Sequence, residues 1–471
     1  MENLKKLLKS SPSARRADKL AKQVQSSQPD AKLTHALVSK LHFFLTQHLS
    51  PQPKLLLALS GGLDSCVLLH LLAEVKHIFL FELQAMHVHH GLSPNADAWT
   101  ALCAKMCESL HVPLQIVYVS VDPSSKQGIE AAARELRYQA LFNHKFGEVL
   151  PDYVVTAHHQ DDQAETLLLQ LLRGAGVKGL SSMAALDETR RLLRPLLDVS
   201  RHALNAYAVQ HQIEWCEDES NDNTQYERNF VRHNVMPVLE THFASAKSVI
   251  ARTASHLAEA NGLLDALATL DARELLLNNS LCLQGLSQLD IPRAKNVLRW
   301  WFAQNQLAMP NAEHLTEIIQ QLLNAKPDAD VNIKLQHLTL KRYQNRVHLY
   351  ADRASVPFDL TWCGESTLIL PDGSRLLFNR KQGVGLALKY STDKLRIAHR
   401  TGGERFKPNV LRPTRTLKHL LQEASIPPWV RLHLPLVYWQ DTLAYVPGVG
   451  VASGLQAGFD EIGLEIIWQD S

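Results

Sequence analysis

Two short stretches hold residues of the types and spacing needed for chemistry on a phosphate. The first is Ser60-Gly61-Gly62-Leu63-Asp64-Ser65, set between the apolar run 55–59 and the renewed apolar spacing of Cys66, Val67, Leu68 and Leu69. Backbone amides of a glycine-rich turn that opens a helix converge on one spot, where the helix dipole adds positive potential. A phosphate suits that spot. The GxxxxGK[ST] form of such loops needs a lysine that this one lacks, and Ser60 and Ser65 offer hydroxyl donors instead. Asp64 would repel a phosphate unless a cation bridged them, so the loop predicts Mg2+ held jointly by protein and nucleotide. The bland alternative is a tight strand-to-helix turn with Asp64 capping the helix. The whole hexapeptide behind a buried strand favours binding.

The second stretch is HHQDDQAET, residues 158–166. Asp162, Glu165 and Thr166 fall three and four apart and share one helix face. Asp161 is more exposed in helical phase and reads as an N-cap. Adjacent histidines rarely converge on one ion, so of His158 and His159 one is expected to pack and one to line the pocket. Arg134, Arg137 and Tyr138 keep i, i+3, i+4 spacing, which suits either a phosphate-neutralising set or a salt-bridged surface. His87, His89 and His90 stand at a strand end, where contact with adenine or ribose competes with ordinary core and surface roles. Gly174 and Gly176, after Arg173, allow close approach of backbone and substrate.

These groups need a frame that brings them together, and the apolar pattern supplies one. A helix over 33–48 leads into strand 54–59, helix 64–75, strand 82–87, helix 96–110, strand 114–119, helix 128–143, strand 153–157 and helix 162–172. That alternation argues for an α/β fold with a doubly wound, mostly parallel sheet, in which ligands bind beyond the carboxyl ends of the strands. After about Arg232 the strands stop, and 235–325 reads as a helical region. Short alternating segments over 331–370 suggest β-structure, and 396–468 mixes turns, a helix at 417–424 and short strands, a small α+β domain.

Size and composition agree. At 471 residues the chain exceeds one ordinary core. The expected division is a basic, mobile extension 1–32, a catalytic domain 33–234, a helical domain 235–345, a linker with short β segments 346–395, and a C-terminal domain 396–471. Net charge is only +2, yet Lys5, Lys6, Lys9, Arg15, Arg16, Lys19 and Lys22 crowd the extension, and the segment after Arg396 is rich in Lys and Arg. Both suit an anionic polymer or a plain solvated surface. The cysteines Cys66, Cys103, Cys107, Cys216, Cys282 and Cys363 form no CxxC pair, which fits a reducing, cytoplasmic setting. No run is long and apolar enough to cross a membrane, so a soluble chain is expected.

SGGLDS in this setting resembles the pyrophosphate-binding loop of the N-type ATP pyrophosphatases, whose adenine nucleotide alpha hydrolase-like fold the α/β pattern matches. Further blocks narrow the likeness: MHVHHGLSPNAD, GIEAAARELRYQAL, TAHHQDDQAETLLLQLLRGAGVKGLSSM, RPLL, EDESNDNTQYERNFVRHNVMPVL, and near the C-terminus GGERFKP with RTLKHLLQEASIPPWVRLHLPLVYWQDTLAYVPGVGV. In order and content these are similar to the tRNA(Ile)-lysidine synthases, from about Lys54 to Val451.

The resemblance implies a ligase using ATP and Mg2+. It would adenylate the C2 oxygen of the wobble cytidine in a tRNA(Ile) with anticodon CAU, and the amine of free L-lysine would displace AMP. Asp162 matches the family's active-site acid and, with Asp64, is expected to hold the metal or take the amine's proton. Arg137 matches the site arginine, and His90 is expected at the nucleotide. Glu165 is the candidate for gripping the lysine ammonium, with Thr166, Arg173 and Gly174 lining the substrate site. Arg228, Asn229 and Arg232 read as phosphate contacts. Arg405, Arg415 and Lys418, with Arg400, Lys407, Arg412, Phe406 and Trp429 interleaved, suit acceptor-stem recognition by shape and charge. A homodimer is a further implication that no residue supports. Two other readings stand beside this one: a tRNA thiolase of the same class, which would need reactive cysteines, and a non-catalytic tRNA-binding protein with a relic nucleotide site.

Overall fold

The structure, a computed structural model, describes residues 31–469 except 122–128, 327–328, 330, 352–356, 391–393, 409 and 412. The basic extension, all but its last two residues, and Arg412 lie outside the described residues. The chain divides into two units at Leu263/Leu264, within the helix Ala246–Leu275.

The first unit is built on strand β1, Lys54–Ala58, whose Leu55, Leu56 and Leu57 are fully buried. Leu55 and Leu57 point into one core and Leu56 into another, the period of two expected of a strand covered on both faces. Helix α1, Ala31–His48, precedes it; α2, Leu63–Val75, follows. Then come β2, Glu82–His89; α3, Ala96–Ser109; β3, Leu114–Tyr118; α4, Ile129–Asn143; β4, Tyr153–Val155; and α5, Gln160–Leu172. Two short strands, β5 (Leu186–Asp187) and β6 (Leu192–Leu193), and helix α6, Arg201–Gln210, complete the layer.

The sheet order is β3-β2-β1-β4-β6-β5, parallel throughout except for β5. The chain moves outward from β1 to β3 and then returns to place β4 beside β1. The carboxyl ends of β1 and β4 therefore border the switch point, where open α/β sheets bind their ligands. Both stretches singled out in the sequence follow these two strands.

The second unit departs from the purely helical expectation. Strands β7 (Leu276–Leu277) and β8 (Ser280–Cys282) interrupt the helices and join the sheet β7-β8-β11-β10-β9, with β9 at Asn332–Leu335, β10 at Leu338–Tyr343 and β11 at Arg346–Tyr350. Asn278 and Asn279 turn this hairpin with φ of 47° and 53°, the two positive φ values that such a tight turn requires.

Residues 346–395 are no linker either. Asp359–Trp362 pairs with Leu395–His399, and Arg375–Gln382 pairs along its whole length with Ile462–Gln469. These strands share one core, in which Trp362, Leu376, Ile397 and Ile466 are buried together. Among the described residues, no helix is long and apolar enough to cross a membrane.

Candidate active site

The 60–65 loop leaves the end of β1 and folds on its own hydroxyls. Ser65 Oγ accepts from the Ser60 amide at 3.2 Å and donates to the Gly62 carbonyl at 2.9 Å, with the Ser60 hydroxyl 3.0 Å away. Gly61 has φ +86°, a conformation that favours glycine, and a Cβ there would stand a tight 3.2 Å from Cys103 Sγ. Leu63 is buried beneath the loop and Asp64 lies in the first turn of α2. One oxygen of Asp64, Oδ1, is buried without a hydrogen-bond donor.

Across the switch point, α5 starts at Gln160, two residues earlier than its apolar spacing suggests. The His159 amide donates to Asp162 Oδ2 at 3.0 Å, so the acid closes the helix start. This draws Asp161 inward. It is 8% exposed, accepts from the Arg201 amide at 3.1 Å and pairs with Lys247 at 2.9 Å, where an exposed N-cap was expected.

His159 ties the two stretches together. Its Nε2 stands 3.5 Å from both Asp64 Oδ2 and Asp162 Oδ2. Burial opposes charging of the imidazole, but Asp64, Asp162 and Asp161 outweigh it and hold the group above its ordinary value. The same balance runs the other way for Asp162: burial favours the neutral acid, and His159 and Arg228 hold it ionised, below the usual carboxylate range.

Arg228 and Arg232 are not free for phosphates. Arg228 reaches Asp162 Oδ1 at 3.1 Å and Glu165 at 2.9 Å, and Arg232 reaches the same two acids at 3.3 and 2.6 Å. Glu165 is 2% exposed with both oxygens engaged, so it holds these guanidinium groups where a grip on an incoming ammonium was expected. The reason is spacing. Arg228 and Arg232 are four apart in a helical stretch whose middle, Val231–Val235, is π-helical, and they meet the i, i+3 acids of α5 as a matched pair.

Asn229 is likewise turned inward, donating to the Ser220 and Asn223 carbonyls at 3.0 Å, where a phosphate contact was expected. The Thr166 hydroxyl donates to the Asp162 carbonyl within α5. Arg173 is paired with Glu227, and Gly174 next to it has φ +69°.

Burial, and then the charge of Arg137 on α4, hold His90 below its ordinary value. Burial pushes His158 down to about 4, with Arg194, Arg228 and Arg134 resisting protonation against Asp162. His158 Nδ1 shares a hydrogen bond with the Thr156 hydroxyl at 2.9 Å. His87 is a core residue bonded to the Leu59 carbonyl. Burial pushes the Cys66 thiol up to about 12 and Cys107 to about 11, and raises Cys103 too. These three buried thiols are poor nucleophiles at neutral pH.

In the second unit Phe406 is a buried core residue rather than an RNA contact. Trp429 packs edge-on against Tyr343 and His348. Arg415 pairs with Glu423 and Arg400 with Glu404, while Arg405 and Lys418 remain exposed.

Residue spacing missed His159 as the bridge, Asp161 as a buried anchor, and Arg201 and Lys247 altogether. Arg201 and Lys247 lie far along the chain from the other site residues, and nothing local marks them.

Comparison with known proteins bears on the same segments. A PP-loop domain model matches residues 33–239, a TilS substrate binding domain model residues 281–348, and a TilS substrate C-terminal domain model residues 395–468. The tRNA(Ile)-lysidine synthase of Nitrosomonas europaea is 41% identical over 436 residues, covering 91% of this chain and 94% of that protein. That of Coxiella burnetii is 36% identical over 433 residues, covering 91% and 95%. Among solved structures, a U34-tRNA thiolase from Methanococcus maripaludis aligns over 49% of this chain and 81% of its own, at 20% identity and TM-score 0.43. With the two acids and the phosphate loop meeting at His159, and relatives matching from the first domain to the last, the chain belongs to the tRNA(Ile)-lysidine synthase family.

Proposed function

We propose that the chain converts the wobble cytidine of a tRNA(Ile) with anticodon CAU to lysidine. ATP adenylates the C2 oxygen of the base with release of pyrophosphate, and the amine of free L-lysine then displaces AMP. The observation that carries this reading is the meeting of a phosphate cradle and two acids at one histidine, each acid 3.5 Å from His159 Nε2.

The residues divide the work. Loop amides and the hydroxyls of Ser60 and Ser65 hold phosphate at the start of α2. Arg137, beside His90, neutralises charge that develops as pyrophosphate leaves. Asp162, kept ionised by His159 and Arg228, takes a proton from the incoming amine. His158, kept neutral, adds no charge that would repel a lysine ammonium.

Mg2+ belongs to the same reading, and the donor set fits it. Asp64 Oδ1 is buried with no donor, and Mg2+ uses one or two carboxylates with substrate phosphates completing its shell. When bound, the ion supplies charge neutralisation at the transferring phosphate. Asp162 would be the second ligand, its Oδ1 being held here by Arg228 and Arg232. A cytoplasmic setting and a homodimer complete the reading, the latter checked by sedimentation.

The deciding experiment is transfer of radiolabelled lysine to a tRNA(Ile) CAU transcript with ATP and Mg2+, resolving AMP from ADP. Label in the RNA with one AMP per lysine supports the proposal. AMP release that depends on tRNA but leaves no label would point to another nucleophile, and no AMP at all to a binding protein.

A further inference from the structure

Behind His159 lies a cavity of about 60 Å³ that the reaction above does not use. Its charged lining is His159, Asp161, Glu165, Arg201, Arg232 and Lys247. That is space for a small polar group rather than a triphosphate.

Most of its charges already have partners. Arg232 is bonded to Glu165 at 2.6 Å, and Lys247 pairs with Asp161 at 2.9 Å and Glu240 at 3.4 Å. Arg201 differs. Its amide anchors α6 on Asp161, but among the described residues its guanidinium makes no ion pair closer than Asp64 Oδ1 at 4.0 Å, and its side chain is 52% exposed. This is a planar, two-pronged cation beside the reacting acids with capacity for one more anion.

We infer that Arg201 anchors the α-carboxylate of the amino-acid substrate, whose α-ammonium faces Asp161 across the same cavity. The inference rests on the lysine reading given above. A second phosphate is the competing occupant for that guanidinium, and the KM for ATP distinguishes the two. A zwitterionic head group meets both signs at once. Held there, it leaves the aliphatic side chain to carry the ε-amine past His159 toward Asp64 and Asp162, and Arg201 becomes a determinant of which amines react.

The test pairs Arg201→Gln and Arg201→Lys with three amines, L-lysine, lysinamide and cadaverine, the last two lacking the carboxylate. Wild-type enzyme should use L-lysine with a KM about tenfold or more below those of the other two, the worth of one charge-assisted bond. Arg201→Gln should raise the L-lysine KM to that of lysinamide, leave the cadaverine KM unchanged, and leave the KM for ATP and for tRNA unchanged. Arg201→Lys should recover part of the preference.

A raised KM for ATP would make Arg201 a phosphate ligand and overturn the inference. An equal fall in kcat with L-lysine and cadaverine would overturn it too, reducing Arg201 to a support for Asp64. Should Arg201→Gln not fold, equal wild-type KM values for L-lysine and lysinamide would be decisive against it. Failure of wild-type enzyme to transfer lysine at all would strike the parent reading first, before any variant is compared.

Discussion

Asp162 is the proposed base and also a buried, multiply bonded acid. Asp162→Asn keeps its shape and removes its charge, while Glu165 still engages both arginines. Lysidine formation should fall by at least about a hundredfold, the lower range for losing a positioned acid or base, with tRNA affinity near wild type in a filter-binding assay. Full retained activity would take Asp162 out of the mechanism.

His159 makes a pH-dependent prediction. Its pKa is raised in the folded chain, so its contribution is complete below the ordinary value of 6.5 and is lost as pH rises through the folded value. Asp161 and Asp162 are lowered, so theirs is present above the ordinary carboxylate value of 3.8 and is lost toward acid. Thermal melts should therefore separate wild type from His159→Gln more at about pH 6 than at about pH 9. A gap that widens with pH would contradict this charge assignment.

At the scale of elements, the loop between β1 and α2 is the tightest constraint. Gly61→Ala places a Cβ 3.2 Å from Cys103 Sγ at φ +86°. The expected cost is about 1–2 kcal/mol of stability, read by urea unfolding, together with a raised KM for ATP. Unchanged values for both would mean that the loop is not held as described. The elements themselves were largely legible: β1 through α5 follow the apolar periods to within a residue or two. The misses have physical causes. The two-residue strands β5 and β6 are too short to carry a period, and the Asn278-Asn279 turn signal lay inside a run that otherwise reads as helix.

For the whole molecule, the natural cut is not at residue 396. Removing 396–471 would strand Asp359–Trp362 and Arg375–Gln382 without their partners. A truncation after Tyr350 instead removes the paired strands of the C-terminal domain together. It should weaken tRNA binding and reduce the slope of log K against log salt by roughly one for every phosphate that the domain neutralises. An affinity and slope equal to wild type would mean that the exposed Arg405 and Lys418 do not hold the RNA.

The α/β class could be read from residue types and periods, and so could the candidate phosphate loop and candidate acids, because a glycine loop behind a buried strand and an i, i+3 pair on a helix are local patterns. Local patterns do not say which charge a side chain will meet. Asp161 and Asn229 turned inward, Glu165 took two guanidinium groups, and Arg201 and Lys247 arrived from distant helices. Those outcomes were decided by tertiary structure alone, since a buried charge must find a partner wherever the fold provides one.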